Sequence, residues 1–362
     1  SERAFAIGQA AFARAYCYFW AVRLWGDVPL NLVPIESTTQ PETYPERAPK
    51  AKVYEQIGKD IETALASGPA VGTNKYFATT DAVNMLKAEY ALWMYSTQEG
   101  GDSYLNLAQE ALDAIGISSA NLLDNYSDIF SRTNKVNKEV VFALRNDQQE
   151  NLKGGYYNYF YHPGNLISSK YQNAPVPISS TQWWSYSQQF IDILEKSKND
   201  NGDRRVDCNL GIGEYGASGQ TISWPNKFLG DMSKQPVVLD CDLLYYRYAL
   251  AVMMDAELKY YKKDYAGALK SLNLIAKRAY GKDNFYTEAN RDAVLSALVN
   301  EYFLEFPAEG VIWWPLIRLD KIWDYNPELL AKKQKNPNIL LWPISKSARN
   351  KNHKLTQTEG WD

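Results

Sequence analysis

Aromatic residues carry the clearest hint of chemistry in this sequence, with 11 Trp and 26 Tyr among 362 residues. Two groups stand out. Tyr156, Tyr157, Tyr159 and Tyr161 form one, and Trp183, Trp184 and Tyr186 the other, both in stretches without helical or strand periodicity. Flat indole and phenol rings stack on the apolar C–H faces of sugar rings, while neighbouring amides and hydroxyls meet the sugar hydroxyls directly or through water. Trp183, Trp184, Tyr186, Tyr156, Tyr157 and Tyr159 are therefore the candidate ligand-binding residues. The competing reading is a satellite core buried beneath a loop.

Covalent and acid–base catalysis have little to stand on. The two histidines, His162 and His353, are far apart, and neither G-x-S-x-G nor H-E-x-x-H occurs, so no catalytic residue is assigned and the chain is read as a non-enzyme. Glycoside hydrolysis by a carboxylate pair leaves no spacing signature, which keeps a secreted glycosidase as the rival from another class. GIGEYG, Gly211 to Gly216, matches the phosphate-cradling G-x-G-x-x-G, but that turn needs a helix after it and here ASGQTISWP comes next, so a flexible loop is expected. Asn199 to Asp207, NDNGDRRVD, fails as an EF-hand because Ser197 and Cys208 fall where Asp and Glu are required. Structural Ca²⁺ on carboxylates elsewhere stays open; no other cofactor and no metal site is expected. Cys17, Cys208 and Cys241 are too few and too scattered for a disulfide or zinc framework.

A net charge of -3 offers no long-range attraction to nucleic acid or an anionic lipid surface. No run reaches the roughly 18 apolar residues of a membrane span.

The elements around these rings read as helices. A helix is expected from Arg3 to Trp25, stopped by Gly26 and Pro29 and apolar almost all round, hence enclosed by covering helices. Val53 to Ala66 is amphipathic. Two helical hairpins come after it. The first carries Val83, Leu86, Tyr90, Trp93 and Met94 and then Tyr104 to Ile115; the second is Asp242 to Tyr280. Ala256 and Ala268, like Ala88 and Ala108, are small residues at the spacing that lets tetratricopeptide helices approach closely. Arg247 falls on the apolar stripe of the second hairpin, where a charge must be paired, so it is expected to be a structural pin. Trp313 and Trp314 are expected in the core. Asn121 to Leu239 is loop-rich, with VVFAL and FIDIL as its regular runs, and the tail beyond Arg318 reads as irregular. The fold class is all-α: a tetratricopeptide-like helical scaffold with a long loop-rich insertion carrying little β structure.

Several landmarks follow in order along the chain: AFARAYCYFWAVRLWGDVPL, Ala11 to Leu30; YSDIFSRTNKVNKEVVFAL, Tyr126 to Leu144; Asp203 with Arg204; Lys227; Arg247 with Ala256 and Glu257; LNLIAKRAY; NEYFLEFPAEGVIWWPLIRLDKIWD; and the closing LLWPIS and TQTEGW. Together, in this order, they resemble the SusD/RagB family. The chain departs from the family pattern at Asn300-Glu301, Ile312, Pro315 and Leu250, where internal ion pairs would be lost. The resemblance implies a single domain over 1–362: a helical scaffold at 1–120, a loop-rich ligand-binding region at 121–239, a helical hairpin and return at 240–330, and an irregular tail at 331–362. It further implies non-catalytic capture of oligosaccharides, or alternatively oligopeptides, for a SusC-type TonB-dependent transporter. It also implies a surface position on the outer membrane, with a signal peptide and lipid anchor in a longer chain, and no nucleic-acid partner. A pure assembly scaffold is the remaining rival.

Overall fold

Spacing of small and apolar residues sets the helices that dominate the computed structural model, which describes residues 1–67, 74–147, 149, 159–160, 182–216, 218–231, 238 and 240–361. Tyr156, Tyr157, Tyr161 and His162 lie outside the described residues. The chain divides into two units, Ser1–Val71 with Leu319–Asp362, and Gly72–Arg318.

In the first unit, α1 (Glu2–Trp25) packs against α2 (Lys50–Ala66) through Ala11, Phe12, Ala15, Phe19 and Val22. This single stripe corrects the expectation of an enclosed helix, for Ile7 and Cys17 are exposed. Flanking aromatics cover one another instead, Phe12 against Tyr16 and Tyr16 against Trp20, with the Arg23 guanidinium 3.8 Å from the Phe19 ring. Buried Asp60 on α2 is neutralised by Arg14, whose two nitrogens donate at 2.8 and 2.7 Å. The tail is not irregular throughout. Short helices occupy Ile322–Tyr325, Pro327–Lys333 and Lys346–Lys351. Pro327 suits a first helical position because no N–H is needed there, and Ser345 Oγ accepts from Ala348 N at 3.1 Å.

The second unit holds both helical hairpins. Helix α3 (Thr80–Thr97) lies on α4 (Asp102–Ile115), and Ala88 and Ala108 are fully buried where the backbones come close. Farther along come β1 (Val140–Leu144), α5 (Gln188–Asn201), α6 (Val206–Asn209), β2 (Gly211–Glu214), β3 (Thr221–Trp224) and β4 (Leu243–Arg247). Helices α7 (Tyr248–Tyr261) and α8 (Tyr265–Tyr280) then pair through fully buried Ala256 and Ala268, before α9 (Arg291–Glu305) and α10 (Trp313–Arg318). Among the described residues there are two two-stranded antiparallel sheets, β1 with β4 and β2 with β3, so the all-α scaffold with little β structure holds. No described helix is long and apolar enough to cross a membrane.

Two local readings change. The helix expected from Asp242 begins at Tyr248, because Leu243–Arg247 extends as β4 with Val140 opposite Arg247 and Leu144 opposite Leu243. Cross-strand aromatic packing, Phe142 against Tyr245 at 5.8 Å, helps the pairing prevail over helix propensity. FIDIL, likewise, is one turn and more of α5 rather than an isolated run.

The β1–β4 register brings Glu139 and Arg247 to one end of the sheet, where they enter a buried ion network. Arg247 pairs with Glu305 at 2.6 Å, Glu309 at 2.7 Å and Glu139 at 3.2 Å. Arg278 of α8 reaches Glu139 at 2.7 Å and also Glu305. Arg205 bonds Asp203 at 2.8 Å, Glu301 at 2.7 Å and Glu305 at 3.0 Å. Lys227 pairs with Glu309 at 2.7 Å. Arg247 is thus the expected structural pin. Asp203 is held by Arg205, whose guanidinium, two residues on, turns back over the carboxylate. The departures at Asn300-Glu301 do not empty this region of charge pairs: Glu301 binds Arg205 and accepts from the Tyr280 and Tyr286 hydroxyls at 2.7 and 2.6 Å.

Candidate functional site

The candidate site grows out from that core through Asn209. Its side chain donates to Leu304 O at 2.7 Å and accepts from the Tyr126 hydroxyl at 3.1 Å, fixing α6 against α9. The Asn209 carbonyl in turn accepts from the Tyr186 hydroxyl at 3.1 Å. Tyr186 N donates to Ser223 Oγ at 3.1 Å, and the Tyr186 ring packs 5.1 Å from Phe190 beside buried Leu194, Val206 and Leu304. Ser187 caps α5 by accepting from Phe190 N at 3.3 Å, so the chain leaves Tyr186 in a fixed direction.

Immediately before Tyr186 the backbone is held at its other end. Trp183 N and Trp184 N both donate to the Tyr159 carbonyl, at 3.0 and 3.2 Å, and Gln182 Nε2 donates to the Phe160 and Ser223 carbonyls at 2.6 Å each. Phe160 is itself buried and stacks on Phe228. Between these anchors the two indoles point outward, Trp183 74% and Trp184 55% exposed. A restrained backbone with uncovered rings loses little entropy when something stacks on them.

The opposite wall is the β2–β3 hairpin. Gly211 pairs with Trp224 and Glu214 with Thr221, and Gly219, at φ 69°, makes the turn. This corrects the reading of GIGEYG as a flexible loop. Glycine-rich sequence pairs here because its partner TISW supplies the β-branched and aromatic half, and the turn leads into β3 and not into the helix a phosphate site requires. Gly211 matters by its size: an added Cβ would run into the Trp224 indole and come within 2.7 Å of Asn226 Oδ1. Gly211→Ala is expected to cost about 1 to 3 kcal/mol by forcing that buried ring aside. A thermal melt reads this directly, and an unchanged melting temperature would refute the tight packing.

Between the walls is a pocket of about 620 Å³ lined by Trp183, Trp184, Tyr186, Tyr215, Gln220 and Thr221, with Gln182, Ser185, Gln188, Ile191, Ser218, Ile222 and Ser223. Of the candidate residues, Trp183, Trp184 and Tyr186 come together here. Tyr159 lies just outside the lining, its half-exposed ring 5.6 Å from Trp183 and its carbonyl under both tryptophans. Tyr156 and Tyr157 fall outside the described residues. Sequence reasoning missed Tyr215, Gln220 and Thr221. The polar–apolar alternation in TISW, Thr221 to Trp224, was the signal available, hidden by the glycines before it.

No carboxylate, histidine, cysteine or lysine lines the pocket among the described residues. Cys208 and Cys241 lie elsewhere, and burial pushes their thiols up to about 12 and about 11, far from thiolate reactivity at neutral pH. Nor do three His, Cys, Asp or Glu side chains gather among the described residues as a metal site would need. The lining can stack, donate and accept hydrogen bonds.

Comparison with known proteins gives a consistent picture. A model described as the SusD family matches residues 212–361, and one described as starch-binding associating with outer membrane matches residues 2–92. SusD-like protein P38 of Formosa agariphila is 23% identical over 366 residues, which span 93% of this chain and 70% of that protein. A crystal structure of a SusD superfamily protein from Bacteroides fragilis superposes with a TM-score of 0.82 at 24% identity, covering 100% of this chain and 80% of the other. The structure of a laminarin binding SusD-like protein superposes with a TM-score of 0.75 at 20% identity, covering 98% of this chain and 78% of the other.

Proposed function

We propose, from the SusD-family models matched over residues 2–92 and 212–361, that the chain is a SusD-type protein that captures oligosaccharides without catalysis, through the pocket between the Trp183–Trp184 segment and the β2–β3 hairpin. The observation that carries this reading is the pair of exposed indoles on a backbone pinned at both ends, facing a wall of hydroxyls and amides. Such a wall suits a ligand with apolar ring faces and many hydroxyls. The laminarin binding relative supports the same class of ligand, and the outer-membrane description of the matched model supports a place on that membrane. Delivery to a SusC-type TonB-dependent transporter, with surface exposure by a lipid anchor, completes the proposal on family grounds.

Oligopeptide capture would use main-chain pairing along a strand edge. Beside β3, however, the Ser223 carbonyl is already taken by Gln182 and the Ser223 hydroxyl by Tyr186 N, which favours the sugar.

Trp184→Ala tests the assignment. Each stacked ring contributes about 0.5 to 1.5 kcal/mol, so the variant should bind a laminarin oligosaccharide roughly 2- to 12-fold more weakly in calorimetry, with little change in melting temperature. Should the variant collapse, or keep parental affinity for every oligosaccharide that the parent binds, the rings are a secondary core and the site lies elsewhere. Release of shorter sugars during incubation would point to a hydrolase instead.

A further inference from the structure

Charge is absent from the described lining of the pocket, and this limits what that lining can hold. We infer that its ligand is an uncharged oligosaccharide, one without uronate, sialate, sulfate or phosphate groups at the units it seats; the inference rests on the capture reading above. Every described residue of the lining is neutral: glutamines, serines, a threonine, tyrosines, tryptophans and isoleucines. On α5 the first carboxylate, Asp192, sits one turn beyond Gln188 and is engaged by it, the Gln188 Nε2 donating at 2.8 Å.

An anionic sugar placed here would meet two penalties. Its carboxylate would lose part of its hydration with no guanidinium or ammonium among the described lining residues to replace it. It would also lie against indole faces, whose π-electron density repels an anion. A neutral sugar meets neither. Gln182 is committed through Nε2 to two carbonyls, which leaves Gln220, Ser185 and Thr221 to answer ligand hydroxyls. The described lining holds no carboxylate or imidazole, and the carboxylates beside it are Asp192 on α5 and Glu214, which is paired with Thr221 across the hairpin, so binding should also be flat between about pH 5 and 8.

The test compares neutral hexasaccharides with their C6-oxidised uronate counterparts, which differ only in CH₂OH against COO⁻. Laminari-, cello- and malto-hexaose serve as probes in calorimetry with the whole chain. At least one neutral member should bind, with affinity unchanged between about 50 and 500 mM salt, and its uronate counterpart should bind about tenfold more weakly or worse. Gln220→Lys, at an exposed position that should tolerate the change, ought to recover about 3- to 10-fold of the uronate affinity in a salt-sensitive way. A uronate that binds the parent as tightly as its neutral twin overturns the inference while leaving capture intact. Binding by no member of either series overturns the capture reading, and this inference with it.

Discussion

Glu305→Ala should destabilise the protein by about 3 to 5 kcal/mol and lower its melting temperature by something on the order of 10 °C. Glu305 is fully buried and bonds to three guanidiniums, those of Arg205, Arg247 and Arg278. Deleting it leaves those cations facing one another in a region where solvation cannot make up the loss. Glu139, Glu301 and Glu309 still oppose them, so the unit should weaken and not fail to form. Glu305→Gln keeps the shape without the charge, and its melt should fall between parent and alanine. Denaturant titrations of the three proteins measure the effect, and a Glu305→Ala midpoint equal to the parent's would show that the network contributes nothing net.

The same carboxyl makes stability depend on pH. Burial alone would raise its pKa, but the charges of Arg278, Arg247 and Arg205, with a hydrogen bond from Arg247, hold it down from an ordinary 4.5 to about 2. A carboxyl held lower in the folded than in the unfolded state contributes stability that is complete above the unfolded value. That stability is lost as pH falls through about 4.5 toward 2. The parent's denaturant midpoint should therefore drop across this window, and the drop should be shallower in Glu305→Gln, which has no proton to bind there. Equal slopes in the two proteins would assign the acid sensitivity to other carboxylates.

How far the fold and the site could be read from sequence depended on how local the cause was. Ala88, Ala108, Ala256 and Ala268 announced close helix approach because their effect lies within one hairpin, and the helical scaffold came with them. Strand β4 did not announce itself: LLYYRYALAV suits a helix equally well, and the partner that decides otherwise is Val140 to Leu144, about a hundred residues earlier. Gly211 to Glu214 was hidden for a related reason, since glycine weakens the strand signal until Thr221 to Trp224 supplies the pairing. Arg247 was legible as a charge in need of a partner, whereas its partners were not, although Glu301, Glu305 and Glu309 recur every four residues along one helix face and past its end. In the candidate site, Trp183 and Trp184 stood out because no periodic face accounted for them. Tyr215 and Gln220 reach the same pocket only through the hairpin turn, which the sequence alone did not reveal.

Trp314→Ala should give the opposite pattern to Trp184→Ala. The Trp314 ring is 4% exposed and meets Trp93 edge-on at 5.9 Å, joining α10 to α3 well away in sequence from the pocket segments. Truncating it leaves a cavity and forfeits the edge-to-face contact, which together cost about 3 to 5 kcal/mol. The variant should melt much earlier than the parent yet, at a temperature where it is still folded, bind the same oligosaccharide with parental affinity. Measuring both quantities for both variants separates support from contact, because a ring that only packs moves the melt and a ring that only stacks moves the affinity. If Trp314→Ala instead weakens binding while its melting temperature stays near the parent's, the sugar rests on the α10 side of the unit, and the indoles of Trp183 and Trp184 lose their assigned role.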